Sequence, residues 1–166
     1  SHAYRLSSGG LRVFPRLADP AEDLGYELED HRLSTGIHEL DGMLGGGLFP
    51  GSATLVTGPS GSGKSLLGMH FLRAGAAAGE PGILASLQEN PTQLARAFAG
   101  YDWRPDELIT TFYRSPVDVY VDEWVHELLD LVEATGARRI VVDSLSDLRV
   151  AAPEPVRFHE YVYSLA

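Results

Sequence analysis

The sequence predicts an α/β fold, a mostly parallel sheet with helices on both faces. Three observations lead there. From residue 53 onward, short apolar and β-branched runs alternate with longer stretches of helical period. Glycines stand at the ends of the helical stretches, at Gly79, Gly100 and Gly136. Between the first apolar run and the first long helix lies a glycine-rich octet, residues 58–65.

The elements follow in order. Residues 4–14 read as two short strands about Ser7-Ser8-Gly9-Gly10, a hairpin signal. Residues 16–30, with Pro15 just before them and Pro20 within, are rich in acids, keep no sustained period and read as a linker. Composition shifts at Arg32. Ser34-Thr35-Gly36 opens a short helix through Leu40 to Leu44, and Gly45-Gly46-Gly47 ends it. Residues 53–57 are expected to be a buried strand. Residues 63–78 form the first long helix, with Leu67, Phe71 and Ala74 on one face. Strands at 82–87, 108–113 and 139–143 alternate with helices at 92–99 and 122–135. Pro91 lies near the first turn of the former helix; Trp124, Leu128, Leu131, Val132 and Thr135 share a face of the latter. Residues 156–165 look helical. No repeat of 20–50 residues is visible.

Composition narrows the function classes. A chain of 166 residues, 44% of them hydrophobic, suits one domain with its own core. A formal net charge of −10 argues against holding nucleic acid by bulk charge, which takes Lys and Arg. With no cysteine, disulfides and zinc ribbons are excluded. The apolar runs fall far short of a membrane span and the N-terminus lacks a secretion signal, so a cytoplasmic protein is expected.

The octet Gly58-Pro59-Ser60-Gly61-Ser62-Gly63-Lys64-Ser65 satisfies every defined position of GxxxxGK[ST]. A strand before it and a helix after it are the context that motif requires. Gly58, Gly61 and Gly63 let the backbone curl so that its N–H groups, those of Ser60 and Ser62 included, face phosphate oxygens. Lys64, Ser65 and Leu66 open the helix, whose unpaired N–H groups and positive dipole end attract anions. Lys64 reaches the β- and γ-phosphates, and the Ser65 hydroxyl is placed to ligate Mg²⁺. The implied ligand is ATP with Mg²⁺.

Asp143 ends the run Ile140-Val141-Val142, at the strand end that faces a ligand crevice. There it can hold Mg²⁺ through water, or cap a following helix. Gln88 and Glu89 close the second strand on the same side. Glu89 can act as general base on the attacking water, or favour the next helix N-terminus. Gln88 cannot accept a proton, though it can orient the water.

Together these residues resemble the RecA-like ATPases, and within them the KaiC family. The resemblance rests on Ser34-Thr35-Gly36-Ile37-His38-Glu39-Leu40-Asp41 with Leu44-Gly45-Gly46-Gly47, on Gln88-Glu89-Asn90-Pro91, and on Val142-Asp143-Ser144-Leu145. It covers residues 32–166, which it implies are the N-terminal part of one ATPase domain. Residues 1–31 would be the closing strands and linker of a preceding domain. It implies ATP hydrolysis in a homo-oligomer, a hexameric ring in the full-length protein, with nucleotide at a subunit boundary. It implies catalytic roles for Lys64 and for Glu89 with Gln88, and metal roles for Ser65 and Asp143. Two departures stand out. The family commonly has two adjacent glutamates where this chain has Gln88-Glu89, and the first is usually taken as catalytic. The RecA-like order also inserts a strand between residues 53–57 and 139–143 that the sequence does not contain. The chain is therefore expected to be part of a longer protein, and to dimerise or swap segments rather than stand as a compact monomer. The alternative to an ATPase is a nucleotide-binding regulatory module with little turnover; an autokinase has no arguable phosphoacceptor here.

Other residues make weaker claims. His31, His38, His70, His126 and His159 lack metal-ligand spacing. Arg138-Arg139 reads as a solvated pair or a contact to a neighbouring subunit. Tyr101 and Trp103 read as core packing or an adenine platform, and Tyr161 and Tyr163 as helix packing.

Overall fold

The computed structural model describes residues 3–14, 30–101, 107–115, 120–151, 158, 161 and 162. Residues 16–29 of the expected linker, Trp103, His159, Tyr163 and most of the helix expected at 156–165 lie outside the described residues.

In chain order the elements are β1 (Ala3–Ser7), β2 (Gly10–Phe14), α1 (His38–Met43), α2 (Lys64–Ala77), β3 (Gly82–Ser86), α3 (Pro91–Ala99), β4 (Ile109–Tyr113), α4 (Val121–Thr135), β5 (Arg139–Asp143) and α5 (Leu145–Ala151). The last three strands form a parallel sheet in the order β4-β3-β5. β3 lies in the middle and is buried at every position, which is why its sequence is a continuous apolar run rather than an alternating one. Side chains leave it alternately to two layers. Ile83 and Ala85, with Leu87 beyond the strand end, join Trp124, Val125 and Leu128 of α4 and Leu148 of α5. Leu84 points the other way, to Met69 and Leu72 of α2 and Leu94 of α3. Helices therefore cover both faces, as expected of an α/β fold.

The face that α2 buries most deeply is not the one that carries Leu67, Phe71 and Ala74. Met69, Leu72, Gly75 and Ala76 are buried, while Leu67, Phe71 and Ala74 are only partly covered. The helix is apolar on more than one side, so periodicity does not choose between them. Glycine does. A Cβ at Gly68 would lie 2.7 Å from a Val141 methyl, and one at Gly75 would lie 2.5 Å from Arg139 Cδ. These two residues let α2 lie close on β5.

Two further expectations are corrected, and one helix was not expected. Residues 53–57 carry no strand, and all five are exposed. Among the described residues β5 pairs only with β3, so the backbone of 53–57 has no strand beside it to join. The unexpected helix is α5, which starts at Leu145, where the Ser144 carbonyl accepts the Asp147 N–H at 3.2 Å and Ser144 Oγ bonds the Asp147 carboxylate at 2.6 Å; within the helix expected at 156–165, the described residues 158, 161 and 162 are helical. The signal was there as Ser-x-x-Asp. Tyr101 is 56% exposed and not in the core. Tyr161 does pack as expected, buried with its hydroxyl donating to Asp122 Oδ1 at 2.6 Å.

The hairpin β1–β2 is antiparallel and lies against α4, adding nothing to the parallel sheet. Phe14 is buried, edge-on to His126, and Arg5 pairs with Glu123 at 2.8 Å. Tyr4, Leu6, Leu11 and Val13 form its exposed face. None of the described helices is long and apolar enough to cross a membrane.

Candidate nucleotide-binding site

Loop 58–63 turns on Gly61 and Gly63, at φ of +79° and +88°. Both values lie in the left-handed region, where a side chain is strained, so the chain needs glycine at these positions. Gly63 is the N-cap of α2 and its carbonyl accepts the Leu67 N–H at 2.9 Å, so regular helix begins at Lys64. The Lys64 ammonium folds back on its own loop and donates to Gly58 O at 3.0 Å and to Pro59 O at 2.8 Å. An ammonium has three donors, so one N–H remains for an anion in front of the loop. Ser60, Gly61, Ser62 and Ser65 are exposed, and a Cβ on Gly61 or Gly63 would meet nothing within 4 Å.

The packing of α2 on β5 fixes which end of the sheet this loop occupies. Gly75 lies over Arg139 at the start of β5, and Gly68 lies over Val141 near its middle. The helix thus runs antiparallel to the strand, and its first residues, Lys64, Ser65 and Leu66, head toward Asp143. Register puts Asp143 level with Ser86, the last residue of β3. The Leu87 N–H donates to the Asp143 carbonyl at 2.9 Å, which ties the two strand ends together. Gln88 and Glu89 come next, both exposed. The fold therefore brings the loop, Asp143 and the Gln88-Glu89 pair to the C-terminal end of the parallel strands. The side-chain bond ahead of α5 is made by Ser144, not by Asp143.

Two polar clusters that sequence reasoning missed hold the approach to the loop. Asp41 Oδ1 accepts the Thr35 N–H at 2.8 Å and the Thr35 hydroxyl at 2.6 Å, while Oδ2 accepts the Ser34 hydroxyl at 2.5 Å. Burial pushes the Asp41 carboxyl up, but the bonds from Ser34 and Thr35 outweigh it and hold it below its ordinary value. Arg139, read from sequence as a solvated or intersubunit residue, is 4% exposed. Its guanidinium meets Glu80 at 2.7 Å, donates to Ser34 O at 2.8 Å and Phe71 O at 2.9 Å, and stacks on the Phe71 ring. It joins β5, α2 and the lead-in segment at one point. Its neighbour Arg138 remains exposed. No cluster of His, Asp or Glu fit to hold a metal ion by itself occurs among the described residues.

Comparison with known proteins agrees with the resemblance read from the motifs. The KaiC ATPase family profile matches residues 33–166. A circadian clock oscillator protein KaiC from Rippkaea orientalis is 32% identical over 152 residues, covering 89% of this chain and 29% of that protein. A UPF0273 protein from Pyrobaculum aerophilum is 32% identical over 147 residues, covering 76% of this chain and 52% of that protein. A UPF0273 protein from Methanopyrus kandleri is 28% identical, with 76% and 58% covered. The chain thus spans little more than half the length of these UPF0273 relatives and under a third of the clock protein. The glycine-rich loop, the parallel sheet and the profile match converge: the chain belongs to the KaiC family of RecA-like P-loop ATPases.

Proposed function

We propose that this chain binds ATP with Mg²⁺ at loop 58–65 and hydrolyses it. The observation that carries the reading is the gathering of Lys64 and Ser65, Asp143, and Gln88-Glu89 at the C-terminal end of the strands. The N–H groups of Gly58, Ser60, Gly61, Ser62 and Gly63 and those of Lys64, Ser65 and Leu66 would cradle the phosphates, and Lys64 would offer its remaining N–H to them. The donor set fits a metal–triphosphate: hard oxygens from Ser65 and from Asp143, the latter acting through water. Mg²⁺ bound there would neutralise charge on the phosphates as the terminal bond breaks. Glu89 would take the proton of the attacking water, with Gln88 orienting it. Residues 32–166 would form the ATPase unit and residues 1–31 the close of a preceding domain. In the whole protein, nucleotide state would be coupled to assembly of a homo-oligomeric ring or to signalling.

A second reading, a nucleotide-binding regulatory module, is favoured by one observation. Gln88 stands where the family commonly carries a glutamate, and an amide accepts no proton. Phosphate release per bound ATP separates the two. For an ATPase, Glu89→Gln should lower turnover by about a hundredfold or more, with ATP affinity changed about twofold at most. Tight ATP binding with no phosphate release from the parent would leave the regulatory module. Turnover unchanged by Glu89→Gln would remove Glu89 as the base.

A further inference from the structure

We propose that Ser86 is a positioning residue that sets the Glu89 turn against the phosphate loop. The inference rests on the reading of Glu89 as general base and adds the residue that aims it. β3 is apolar from Gly82 to Ala85 and ends on this one hydroxyl, which is 2% exposed. A hydroxyl that deep needs partners, and Ser86 finds both in one residue. Its Oγ accepts the Glu89 N–H at 3.1 Å and donates to the Glu89 carbonyl at 3.0 Å. One side chain thus grips both backbone polar groups of the residue that carries the carboxylate.

The direction of the grip follows from the pleat. Ile83, Ala85 and Leu87 face α4, whereas Leu84 faces Met69 and Leu72 of α2. Ser86 shares the parity of Leu84, so its hydroxyl leaves β3 on the side of α2, the helix that carries the loop at its N-terminus. The clasp ties the Glu89 backbone to a hydroxyl on that side of the strand. Neighbouring bonds hold both flanks of the turn. Leu87 is buried and bonded to the Asp143 carbonyl, and the Ser86 carbonyl accepts the Arg114 N–H at 3.2 Å. On the far side Asn90 Oδ1 caps α3 by accepting the Thr92 and Gln93 N–H groups, both at 3.0 Å, while Gln93 Oε1 accepts the Asn90 N–H at 2.9 Å. Of these contacts, only the serine hydroxyl holds Glu89 itself.

The test is a double-mutant cycle of Ser86→Ala and Glu89→Gln on the chain, read by kcat, ATP affinity and exchange of the Glu89 amide hydrogen. Ser86→Ala should accelerate that exchange and lower kcat by about tenfold or more, with ATP affinity within about twofold of the parent. Ser86→Thr keeps the hydroxyl and should retain most of the turnover. Ser86→Cys fills the site with a weak hydrogen-bonding group and should behave like Ser86→Ala, which keeps the test open if the alanine variant does not fold. In the Glu89→Gln background the loss of the hydroxyl should cost nothing further. Parental kcat in Ser86→Ala, or an equal loss in both backgrounds, would overturn the positioning role and leave Glu89 as the base. Parental kcat in Glu89→Gln alone would instead overturn the reading on which the proposal rests.

Discussion

Three hydrogen bonds converge on the carboxylate of Asp41, and they close the lead-in to the nucleotide loop. Because they hold the folded-state pKa of Asp41 below its ordinary 3.8, the sign is that of a stabilising acid. The contribution is complete above that ordinary value and is lost as pH falls below it, through the lowered folded value. Asp41→Ala should therefore destabilise the chain at neutral pH, by about 1–2 kcal/mol in denaturant melts, and should flatten stability in the most acidic range. A variant as stable as the parent at pH 7 would show that the clasp contributes nothing. The loop residues were legible in sequence because their chemistry is local: eight consecutive positions carry the motif, and Gly61 and Gly63 do adopt the conformation it requires. Asp41, Ser86 and Arg139 were not legible in those roles. Arg139 reaches Ser34, Phe71 and Glu80, partners that are far away in the chain and adjacent only once α2 lies on β5.

The contact between α2 and β5 is the element on which the site depends, since it points the loop toward Asp143. Gly75 tests it. Replacing a helical glycine by alanine ordinarily gains up to about 1 kcal/mol of helix propensity. At Gly75 the new methyl would stand 2.5 Å from Arg139 Cδ and 2.6 Å from its Nε. The guanidinium is bonded to Glu80, Ser34 and Phe71 and has no room to retreat. Gly75→Ala should therefore be destabilising by about 1–3 kcal/mol, the usual cost of overpacking. Gly42, inside α1 with nothing within 4 Å of its Cβ position, is the control and should gain stability on the same change. Urea midpoints of the two variants decide it; a stabilised Gly75→Ala would mean that α2 stands off the strand. Element types were well legible where period and punctuation agreed, as in α4, whose C-cap is Gly136 at φ +64°. The strand expected at 53–57 failed for a different reason. A strand exists only beside another strand, and a short apolar run says nothing about whether a partner is at hand.

Across the whole molecule, that missing pairing leaves apolar surface and an open edge. Leu55 and Val56 are 71% and 44% exposed, and among the described residues the outer edge of β5 has no neighbour. Unpaired edges and exposed apolar runs invite pairing with another chain. The chain is therefore predicted to self-associate at micromolar concentration. A net charge of −10 on each copy opposes that, so added salt should strengthen it. Sedimentation across a concentration series at low and high salt checks both statements. A species that stays monomeric throughout would show that segment 53–57 and the β5 edge are satisfied within one copy. The hairpin does not fill the gap, because it lies on α4.

The central claim, that loop 58–65 holds ATP with Mg²⁺ and that Lys64 is its charged contact, is tested most directly by calorimetric titration of Mg·ATP into the chain and into its Lys64→Ala variant. The parent should bind, and the variant should lose about 1.5–3 kcal/mol, at least about tenfold in affinity, since a charge-assisted contact to phosphate is removed. Lys64 also bonds Gly58 and Pro59, so circular dichroism of the variant should first establish that α2 and the sheet are intact. A folded variant that binds Mg·ATP as tightly as the parent would contradict the account.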